Sequence, residues 1–301
     1  MKVAITTSSF ARHSDAPLEL LRQRGISYVL NETGRALTED EAIVMLQGCI
    51  GVAAGTEKLN RRVLDACPDL QVIARCGVGM DSVDIAAANE KGIAVRNTPD
   101  GPTQAVAELT LAYALNLLRC VTHMDRELRA GVWKKRMGFL LEGKKVGIVG
   151  FGRIGRAVAR LFAAFGAQIA FADPGVDDSV YQKMDLDALC AWAQLVSLHC
   201  SAPQDGKLLM NAARLERMRP GSWLINAARG GLVDEEALFR LLRAGRLAGA
   251  ALDTFAREPY AGPLVHLENV ILTPHIGSYA QESRIRQEVE TVKNLLEELG
   301  K

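Results

Sequence analysis

Hydrophobic positions along the chain fall into short β-rich runs that alternate with helical runs. This alternation predicts a parallel sheet covered by helices, because parallel strands need a crossover connection that is usually a helix. In the first hundred residues the predicted strands are Lys2–Thr6, Cys49–Ala54, Gln71–Ala74 and Ile93–Val95. The predicted helices are Asp15–Arg24, a helix from the capping box of Thr38 and Glu41 to Gly48, Asn60–Cys67 and Val83–Lys91.

A second alternating series runs from Lys144 to about Pro274. Its predicted strands are Val146–Val149, Ile169–Ala172, Val196–Leu198, Trp223–Asn226, Ala250–Leu252 and Val270–Leu272. Between the two series, Thr103 to about Arg119 is a helical stretch with two apolar faces, which predicts burial between domains or between subunits. Gly131–Gly143 is polar and predicts an irregular connection, and Gln281–Leu299 predicts a final helix.

Composition narrows the class of protein. The chain has 301 residues, 49% of them hydrophobic, and a net charge of +1, which indicates a folded two-domain protein with no pull towards nucleic acid or a membrane surface. Neither a signal peptide nor a membrane-length apolar run is evident. Six cysteines lie far apart without a C-x-x-C pair, which favours reduced thiols in a cytoplasmic protein and no metal site.

A glycine motif after the strand Val146–Val149 predicts a dinucleotide site. Gly150, Gly152 and Gly155 have the G-x-G-x-x-G spacing, and they precede a predicted helix, Arg156–Phe165. In such a motif the first glycine makes the tight turn, the second lets the backbone approach the pyrophosphate, and the third lets helix and strand pack closely. The helix N-terminus then faces the phosphates. The same spacing alone could be a plain glycine turn.

Asp173, at the end of the next strand, indicates which dinucleotide is bound. Its carboxylate is expected to bond the adenosine ribose hydroxyls and to repel a 2′-phosphate. Residues 174–178 contain no arginine or lysine that could hold that phosphate. The sequence therefore predicts NAD as cofactor.

Three later strands are followed by polar segments, at the edge where open α/β sheets bind ligands. These segments contain Arg229, Glu258 and His275. Together they would supply a fork for a carboxylate, an acidic partner and a histidine for proton transfer, as oxidation of an alcohol requires. Each also has a plain alternative, a surface ion pair or a loop histidine, and His199 at another strand end is a rival catalyst on position alone.

Several segments resemble the D-isomer-specific 2-hydroxyacid dehydrogenase family, most closely its 3-phosphoglycerate dehydrogenase branch. They are residues 71–84, 92–99, 104–110, the glycine motif, 225–238 with 249–253, and the segments of Glu258 and His275. The resemblance implies hydride transfer between NAD(H) and C2 of a 2-hydroxy or 2-keto acid. It makes His275 the acid/base, Glu258 its partner, and Arg229 the anchor of the substrate carboxylate and carbonyl oxygen.

The resemblance also implies roles for binding residues. Arg153 and Ile154 would lie on the pyrophosphate and Cys200 near the adenosine half. Four residues would line the nicotinamide, with the aspartate contacting its carboxamide: Ala227, Ala228, Asp253 and Gly277. The loop of Gly77, Val78 and Gly79 would offer N–H groups to the substrate carboxylate.

The family's architecture implies two doubly wound parallel-sheet domains of Rossmann-like or flavodoxin-like type, with the substrate in an interdomain cleft. Residues 1–98 plus 280–301 would form a discontinuous substrate domain, and residues 99–279 the NAD domain. A homodimer through the cofactor domain is also implied, and the apolar Thr103–Arg119 helix is consistent with it. Because the chain stops at Lys301, we expect no regulatory domain and no feedback by serine.

The substrate is left with alternatives. A phosphorylated acid, and with it a role in serine biosynthesis, needs a cation, for which Arg75 is the candidate. Arg96 is a second basic residue, and both could be ordinary ion-pairing residues. Reduction of glyoxylate, hydroxypyruvate or another 2-keto acid is the alternative activity. An NAD(H)-sensing binding protein or corepressor is the alternative from a different class.

Overall fold

The computed structural model describes residues 1–203 and 205–300, which divide into two compact units. The first unit comprises Met1–Pro102 and the chain from Ser278 onward, and the second comprises Thr103–Gly277. The boundaries expected from the sequence, 98/99 and 279/280, lie four residues and two residues from these. Each unit contains one parallel sheet flanked by helices, which confirms the predicted α/β fold class.

The first unit contains a five-stranded parallel sheet in the order β2-β1-β3-β4-β5. Its strands are β1 (Lys2–Ile5), β2 (Ser27–Leu30), β3 (Gly51–Ala54), β4 (Val72–Arg75) and β5 (Ala94–Arg96). The central β1 and β3 are buried on both faces, as the apolar runs in their sequences require. The edge strand β2 was not predicted, because its four residues, Ser-Tyr-Val-Leu, are only partly buried and show too short a pattern.

The helices between the strands of the first unit are α1 (Ala16–Gln23), α2 (Glu39–Leu46), α3 (Arg61–Asp65) and α4 (Ile85–Glu90). The last three of them begin at residues whose side chains cap the helix. Thr38 and Glu41 form the predicted capping box of α2, while Asn60 and Asp84 cap α3 and α4. These caps satisfy N–H groups that the first helical turn cannot pair internally.

The second unit contains a seven-stranded parallel sheet in the order β12-β11-β10-β9-β6-β7-β8. Its strands are β6 (Lys145–Val149), β7 (Gln168–Ala172), β8 (Gln182–Lys183), β9 (Leu195–Leu198), β10 (Trp223–Asn226), β11 (Gly249–Leu252) and β12 (Val270–Leu272). Strand order reverses at β6, which has β7 on one side and β9 on the other. Such a switch point opens a crevice at the carboxyl ends of the strands, where ligands bind.

The helices of the second unit lie before and between the strands of its sheet. The helices are α5 (Thr103–Arg119), α6 (Val121–Arg129), α7 (Arg153–Ala164), α8 (Leu186–Trp192), α9 (Ala212–Arg217) and α10 (Glu235–Arg243), and α11 (Gln281–Glu298) returns to the first unit. The apolar faces of α5 pack on α7 and on β10 and β11. Burial within its own unit therefore accounts for α5, whose sequence pattern predicts burial between domains or subunits.

Taken singly, none of the helices in the described chain is long and apolar enough to cross a membrane. The pair α5 and α6 meets the criterion together, by length and composition only, with a bend of 62° between them. Eight of the 17 residues of α5 are buried in the core of the second unit, as its apolar sequence pattern requires.

Candidate active site

The carboxyl edge of the seven-stranded sheet brings together the loops that follow β6, β10, β11 and β12. These loops carry the glycine motif, Arg229, Glu258 and His275, in that order along the chain. Because all strands of this sheet are parallel, their carboxyl ends meet at one edge. The predicted cofactor and catalytic residues of the second unit therefore lie at the same edge of one sheet.

The three glycines of the loop after β6 have three different surroundings. Gly150 has a positive φ of 87°, and a Cβ there would lie 2.6 Å from the carbonyl oxygen of His199. A Cβ on Gly155 would lie 2.1 Å from the carbonyl oxygen of Gly150. A Cβ on Gly152 would meet no atom within 4 Å. Only the middle glycine therefore faces open space, where a ligand can approach the backbone.

This loop fits the pyrophosphate of a dinucleotide. Gly152 is the N-cap residue of α7 and has no side chain to accept bonds from the first helical turn. That turn begins with Arg153 and Ile154, and its N–H groups with the positive end of the helix dipole favour an anion. The helix starts three residues earlier than the sequence predicted, so these two residues belong to the helix rather than to the loop.

Asp173 braces the glycine loop from the end of β7. Its Oδ2 accepts a hydrogen bond from the Phe151 N–H at 2.7 Å, and its Oδ1 accepts one from the Gly175 N–H at 2.9 Å. Each carboxylate oxygen can accept a further bond, so the expected contact with ribose hydroxyls stays a prediction. Arg156 of α7 forms an ion pair with Asp178, which lies in the segment after β7.

His275 and Glu258 form a pair at the carboxyl edge. The Nδ1 of His275 lies 3.0 Å from Oε2 of Glu258, and the side chains are 49% and 38% exposed. The other glutamate oxygen, Oε1, accepts the Phe255 N–H at 3.0 Å, which fixes the direction of the carboxylate. With Nδ1 turned to the carboxylate, Nε2 is the ring nitrogen available for proton exchange.

Asp253 holds the loop that carries His275. Its side chain is fully buried, and it accepts hydrogen bonds from the N–H groups of Ile276 at 2.8 Å and Gly277 at 2.7 Å. Thr273 Oγ1 donates to the same carboxylate at 2.5 Å. The family resemblance implies that Asp253 contacts the nicotinamide carboxamide. In this structure its carboxylate is enclosed behind the histidine loop, and the bonds it makes are to that loop.

Asn226 shapes the loop that carries Arg229. It is fully buried at the end of β10, where its Oδ1 accepts the Ala228 N–H at 3.1 Å and its Nδ2 donates to the Arg229 carbonyl at 2.8 Å. The Arg229 guanidinium donates to the Ala228 carbonyl at 2.7 Å. Ala227 is buried and Ala228 and Arg229 are partly exposed, so the end of this loop reaches the surface of the edge.

His199 and Cys200 follow β9, and burial shifts the pKa of each side chain away from its ordinary value. Burial lowers the pKa of His199 to about 3, and its Nε2 lies 2.8 Å from the Ser197 hydroxyl. An imidazole with so low a pKa stays neutral near pH 7, which makes His199 a poorer proton donor than its position alone suggests. Burial also raises the pKa of the Cys200 thiol to about 11, which makes it an unreactive neighbour of Gly150.

In the first unit, Arg75 is the last residue of β4, and the Gly77–Gly79 loop follows this strand. Gly77 has φ +144°, and its N–H donates to Thr98 Oγ1 at 2.7 Å, so this N–H is engaged within the protein, contrary to expectation. Among the described residues, the N–H groups of Val78 and Gly79 have no acceptor. The Arg75 guanidinium curls over Gly77 and donates to the Cys76 carbonyl. Arg96 pairs with Glu298, which confirms its interpretation as an ion-pairing residue.

Sequence reasoning missed three residues that support the site. Asn226 was noted only as part of a segment, while Tyr113 and Thr273 were not singled out, although Tyr113 contacts both Thr273 and Asp253. For Asn226 and Thr273 the one local signal in the sequence was that each is a polar residue at the end of a strand. Tyr113 gave none, because a tyrosine in an apolar helix is normally core.

Comparison with known proteins agrees with this geometry. The NAD binding domain of the D-isomer specific 2-hydroxyacid dehydrogenases matches residues 111–277. Hydroxypyruvate reductase of Thermotoga maritima is 35% identical over 280 residues, which cover 90% of this chain and 92% of that enzyme. A crystal structure of a Thermus thermophilus protein superposes with a TM-score of 0.93 at 37% identity, covering 100% of this chain and 97% of the other.

D-3-phosphoglycerate dehydrogenase of Methanocaldococcus jannaschii is 36% identical over 264 residues, or 84% of this chain. The match covers 50% of that enzyme, so the chain spans about half the length of this relative. With the NAD binding domain matched over more than half of the sequence, the chain belongs to the D-isomer specific 2-hydroxyacid dehydrogenase family.

Proposed function

We propose that the protein catalyses reversible NAD-dependent reduction of a small 2-keto acid to its 2-hydroxy acid. The observation that carries this proposal is the His275–Glu258 pair at 3.0 Å, on the same sheet edge as a glycine loop with open space at Gly152. When bound there, the nicotinamide supplies or accepts the hydride at C2. The protein must then bind the acid, move one proton and exclude water.

His275 exchanges that proton through Nε2. In reduction the protonated imidazole gives its proton to the carbonyl oxygen as C2 gains hydride, and in oxidation the neutral imidazole takes the hydroxyl proton. Glu258 orients the ring through Nδ1 and leaves Nε2 to face the substrate. Arg229 offers a planar fork to the substrate carboxylate and stabilises charge on the carbonyl oxygen.

Cofactor and substrate contacts are assigned from the same loops. Ala227, Ala228 and Gly277 line the nicotinamide, and Asp173 contacts the adenosine ribose. Val78 and Gly79 donate their N–H groups to the substrate carboxylate. Support for the last assignment comes from these two groups having no acceptor among the described residues.

The finer proposal is that the substrate is a phosphorylated three-carbon acid. The protein would then oxidise 3-phosphoglycerate to 3-phosphohydroxypyruvate, as the entry to serine biosynthesis. It rests on Arg75, a cation partly exposed beside the Gly77–Gly79 loop. The second candidate is an unphosphorylated acid such as hydroxypyruvate or glyoxylate. It is favoured by the pairing of Arg96 with Glu298 and by the bond of Arg75 to its own loop at Cys76, since both reduce the positive charge open to a phosphate.

A substrate panel tests both proposals. NADH oxidation at 340 nm is followed with 3-phosphohydroxypyruvate, hydroxypyruvate, glyoxylate and pyruvate. Turnover of any of them supports the 2-keto acid reductase, and a preference for the first supports the phosphorylated substrate. If none is turned over while NADH still binds, both named substrates are ruled out, and a specialised 2-keto acid or the NAD(H)-sensing alternative takes their place.

A pair of variants tests whether Arg75 recognises the phosphate of the substrate. Arg75→Gln should raise the KM for the phosphorylated acid by about tenfold while leaving that for hydroxypyruvate nearly unchanged, because only the phosphate loses a charged partner. Arg96→Gln is the matched control, because it removes a guanidinium charge from β5, the strand next to β4. Equal effects of Arg75→Gln on both acids would contradict phosphate recognition.

We also propose that the chain forms a homodimer in the cytoplasm. The segment 121–140 exposes large apolar side chains, among them Trp133 at 82%, Met137 at 94% and Leu140 at 64%. Such a cluster on one segment is typical of a protein interface. All six cysteines are free thiols, which is consistent with a reducing compartment.

Light scattering after size exclusion tests the dimer. The parent should have twice the mass of the chain, and Trp133→Asp combined with Met137→Asp should give the monomer. Val44→Asp, which changes a single exposed apolar residue of α2, is the control and should leave the mass unchanged. A parent that runs as a monomer would contradict the proposal.

A further inference from the structure

A buried tyrosine of α5 reaches the loop that carries His275. Tyr113 is 4% exposed, and its hydroxyl contacts Thr273 Oγ1 in a short hydrogen bond and lies 3.3 Å from Asp253 Oδ1. Burial raises the pKa of Tyr113 well above its usual range, so the phenol stays protonated and keeps its proton to donate.

The chemistry of the acceptor sets the direction of these hydrogen bonds. The Asp253 carboxylate can only accept, so Thr273 must donate its hydroxyl proton to Oδ1. The oxygen of Thr273 then has lone pairs left, and Tyr113 donates to it. The order is therefore Tyr113 to Thr273 to Asp253, and the carboxylate also receives the N–H groups of Ile276 and Gly277.

This chain of bonds encloses a strained segment. His275 adopts a positive φ of 54°, a region that few residues other than glycine occupy, and its N–H donates to the Thr273 carbonyl at 3.0 Å. A residue held in this region is strained and persists only when its surroundings fix it. The residues on both sides of His275 are fixed, Thr273 by its hydroxyl and Ile276 and Gly277 by their N–H groups. The common partner is Asp253.

Space around the loop is equally restricted. A Cβ on Gly277 would lie 3.2 Å from Asp253 Oδ2 and 3.3 Å from Val106 of α5. The α5 helix therefore contacts the far side of the histidine loop at two places, through Val106 and through the Tyr113 hydroxyl. A shift of the Thr273 end would move the imidazole relative to Glu258, which is held separately by the Phe255 N–H.

We infer that Tyr113 is a positioning residue, which acts through Thr273 and Asp253 to aim His275 at the substrate oxygen that gains or loses the proton. This inference rests on the proposed function, because it takes His275 as the proton-transfer group. Tyr113 itself touches neither substrate nor cofactor. Its hydroxyl affects the rate by keeping the imidazole at the angle and distance that proton transfer needs.

The test is Tyr113→Phe, which removes the hydroxyl and keeps the buried ring. We expect kcat for reduction to fall by about tenfold, while the NADH dissociation constant and the KM for the 2-keto acid stay within about twofold of the parent. Hydrogen exchange of the peptide that contains residues 273–277 should be faster, because the Ile276 and Gly277 amides lose part of their anchor. A parent kcat together with parent protection would overturn the inference.

Two substitutions of Thr273 sharpen the result. Thr273→Val removes the hydroxyl at nearly constant shape and should reproduce the loss, whereas Thr273→Ser keeps it and should retain the parent kcat. The double variant of Tyr113→Phe with Thr273→Val should be no slower than the worse single one, because both break the same chain of bonds. Fully additive losses would contradict the proposed order of donors.

A matched control and a separate readout keep the inference distinct from the proposed function. Tyr28→Phe removes a hydroxyl on β2 that accepts from Arg22, and it should change neither kcat nor exchange at residues 273–277. If the parent reduced no 2-keto acid, the proposed function would fail, and the exchange data on Tyr113→Phe would still decide the anchoring. Unchanged exchange in that variant would overturn it.

Discussion

The glycine loop and the histidine loop leave the same edge of the same sheet, but they are built in opposite ways. The glycine loop keeps space open, since a Cβ at Gly152 would meet nothing within 4 Å. The histidine loop is closed around a buried carboxylate and holds His275 at a positive φ. A loop that binds a phosphate needs room for the ligand and free N–H groups. A loop that transfers a proton needs one side chain in one place.

The loop after β10 shows that close backbone packing also holds the segment of Glu258 in place. A Cβ on Gly230 would lie 1.8 Å from the backbone carbon of Phe255, in the segment that leads to Glu258. Glu235 accepts the Ala256 N–H at 2.7 Å and holds the same segment from α10. The proton-transfer pair is thus fixed on both sides, through Asp253 for His275 and through these contacts for Glu258.

Among substitutions outside the proton-transfer pair itself, the largest effect is expected from Gly230→Ala. The added methyl must push the Phe255 backbone and with it Glu258, and a misplacement of about 1 Å can cost ~100-fold in rate. We expect kcat to fall at least that far, with some loss of stability from overpacking. Steady-state kinetics on the folded protein checks this. Gly231→Ala is the control, since its Cβ would find its nearest neighbour at 3.8 Å, and parent-like kinetics for Gly230→Ala would break the comparison.

A smaller and different effect is expected from Gly152→Ala. The protein has room for this methyl, so the thermal unfolding midpoint should not change, but the methyl would occupy the space that the pyrophosphate needs. We expect the NADH dissociation constant, measured by fluorescence titration, to rise by about 10- to 100-fold, as the loss of one or two charge-assisted hydrogen bonds would produce. Unchanged NADH binding would show that the open space is not the cofactor site.

The smallest effect is expected from Asp173→Asn. The amide oxygen can still accept the Phe151 N–H, so the glycine loop should keep its shape, while the charge that opposes a 2′-phosphate is lost. We expect the preference for NADH over NADPH, as a ratio of kcat/KM values, to fall by about tenfold, near the weight of one hydrogen bond to a charged group. A ratio equal to that of the parent would contradict the role given to Asp173.

The glycine loop could be predicted from sequence because each requirement is local. Gly150, Gly152 and Gly155 lie within six residues, and a turn, an open approach and a close helix contact each exclude a side chain there. The hydrogen bonds that hold the histidine loop could not be predicted, because Tyr113 and Thr273 are 160 positions apart. No pattern in a single sequence pairs two such residues.

The burial of individual residues was also beyond the sequence. His199 has a favourable position after a strand, and only the packing around it shows that its pKa is lowered to about 3. Gly77 belongs to a loop expected to bind a carboxylate, yet its N–H is taken by Thr98 across 21 positions. Both outcomes depend on neighbours that the fold supplies, whereas the strands and capped helices followed from residues next to each other.

The central claim is that His275 moves the proton and that the glycine loop binds the cofactor independently of it. His275→Ala, mixed in a stopped-flow instrument with saturating NADH and the best 2-keto acid of the panel, tests it most directly. We predict that the rate of NADH oxidation falls by about 10²- to 10⁴-fold, while the NADH dissociation constant stays within about twofold of the parent. A variant that oxidises NADH as fast as the parent would contradict the claim.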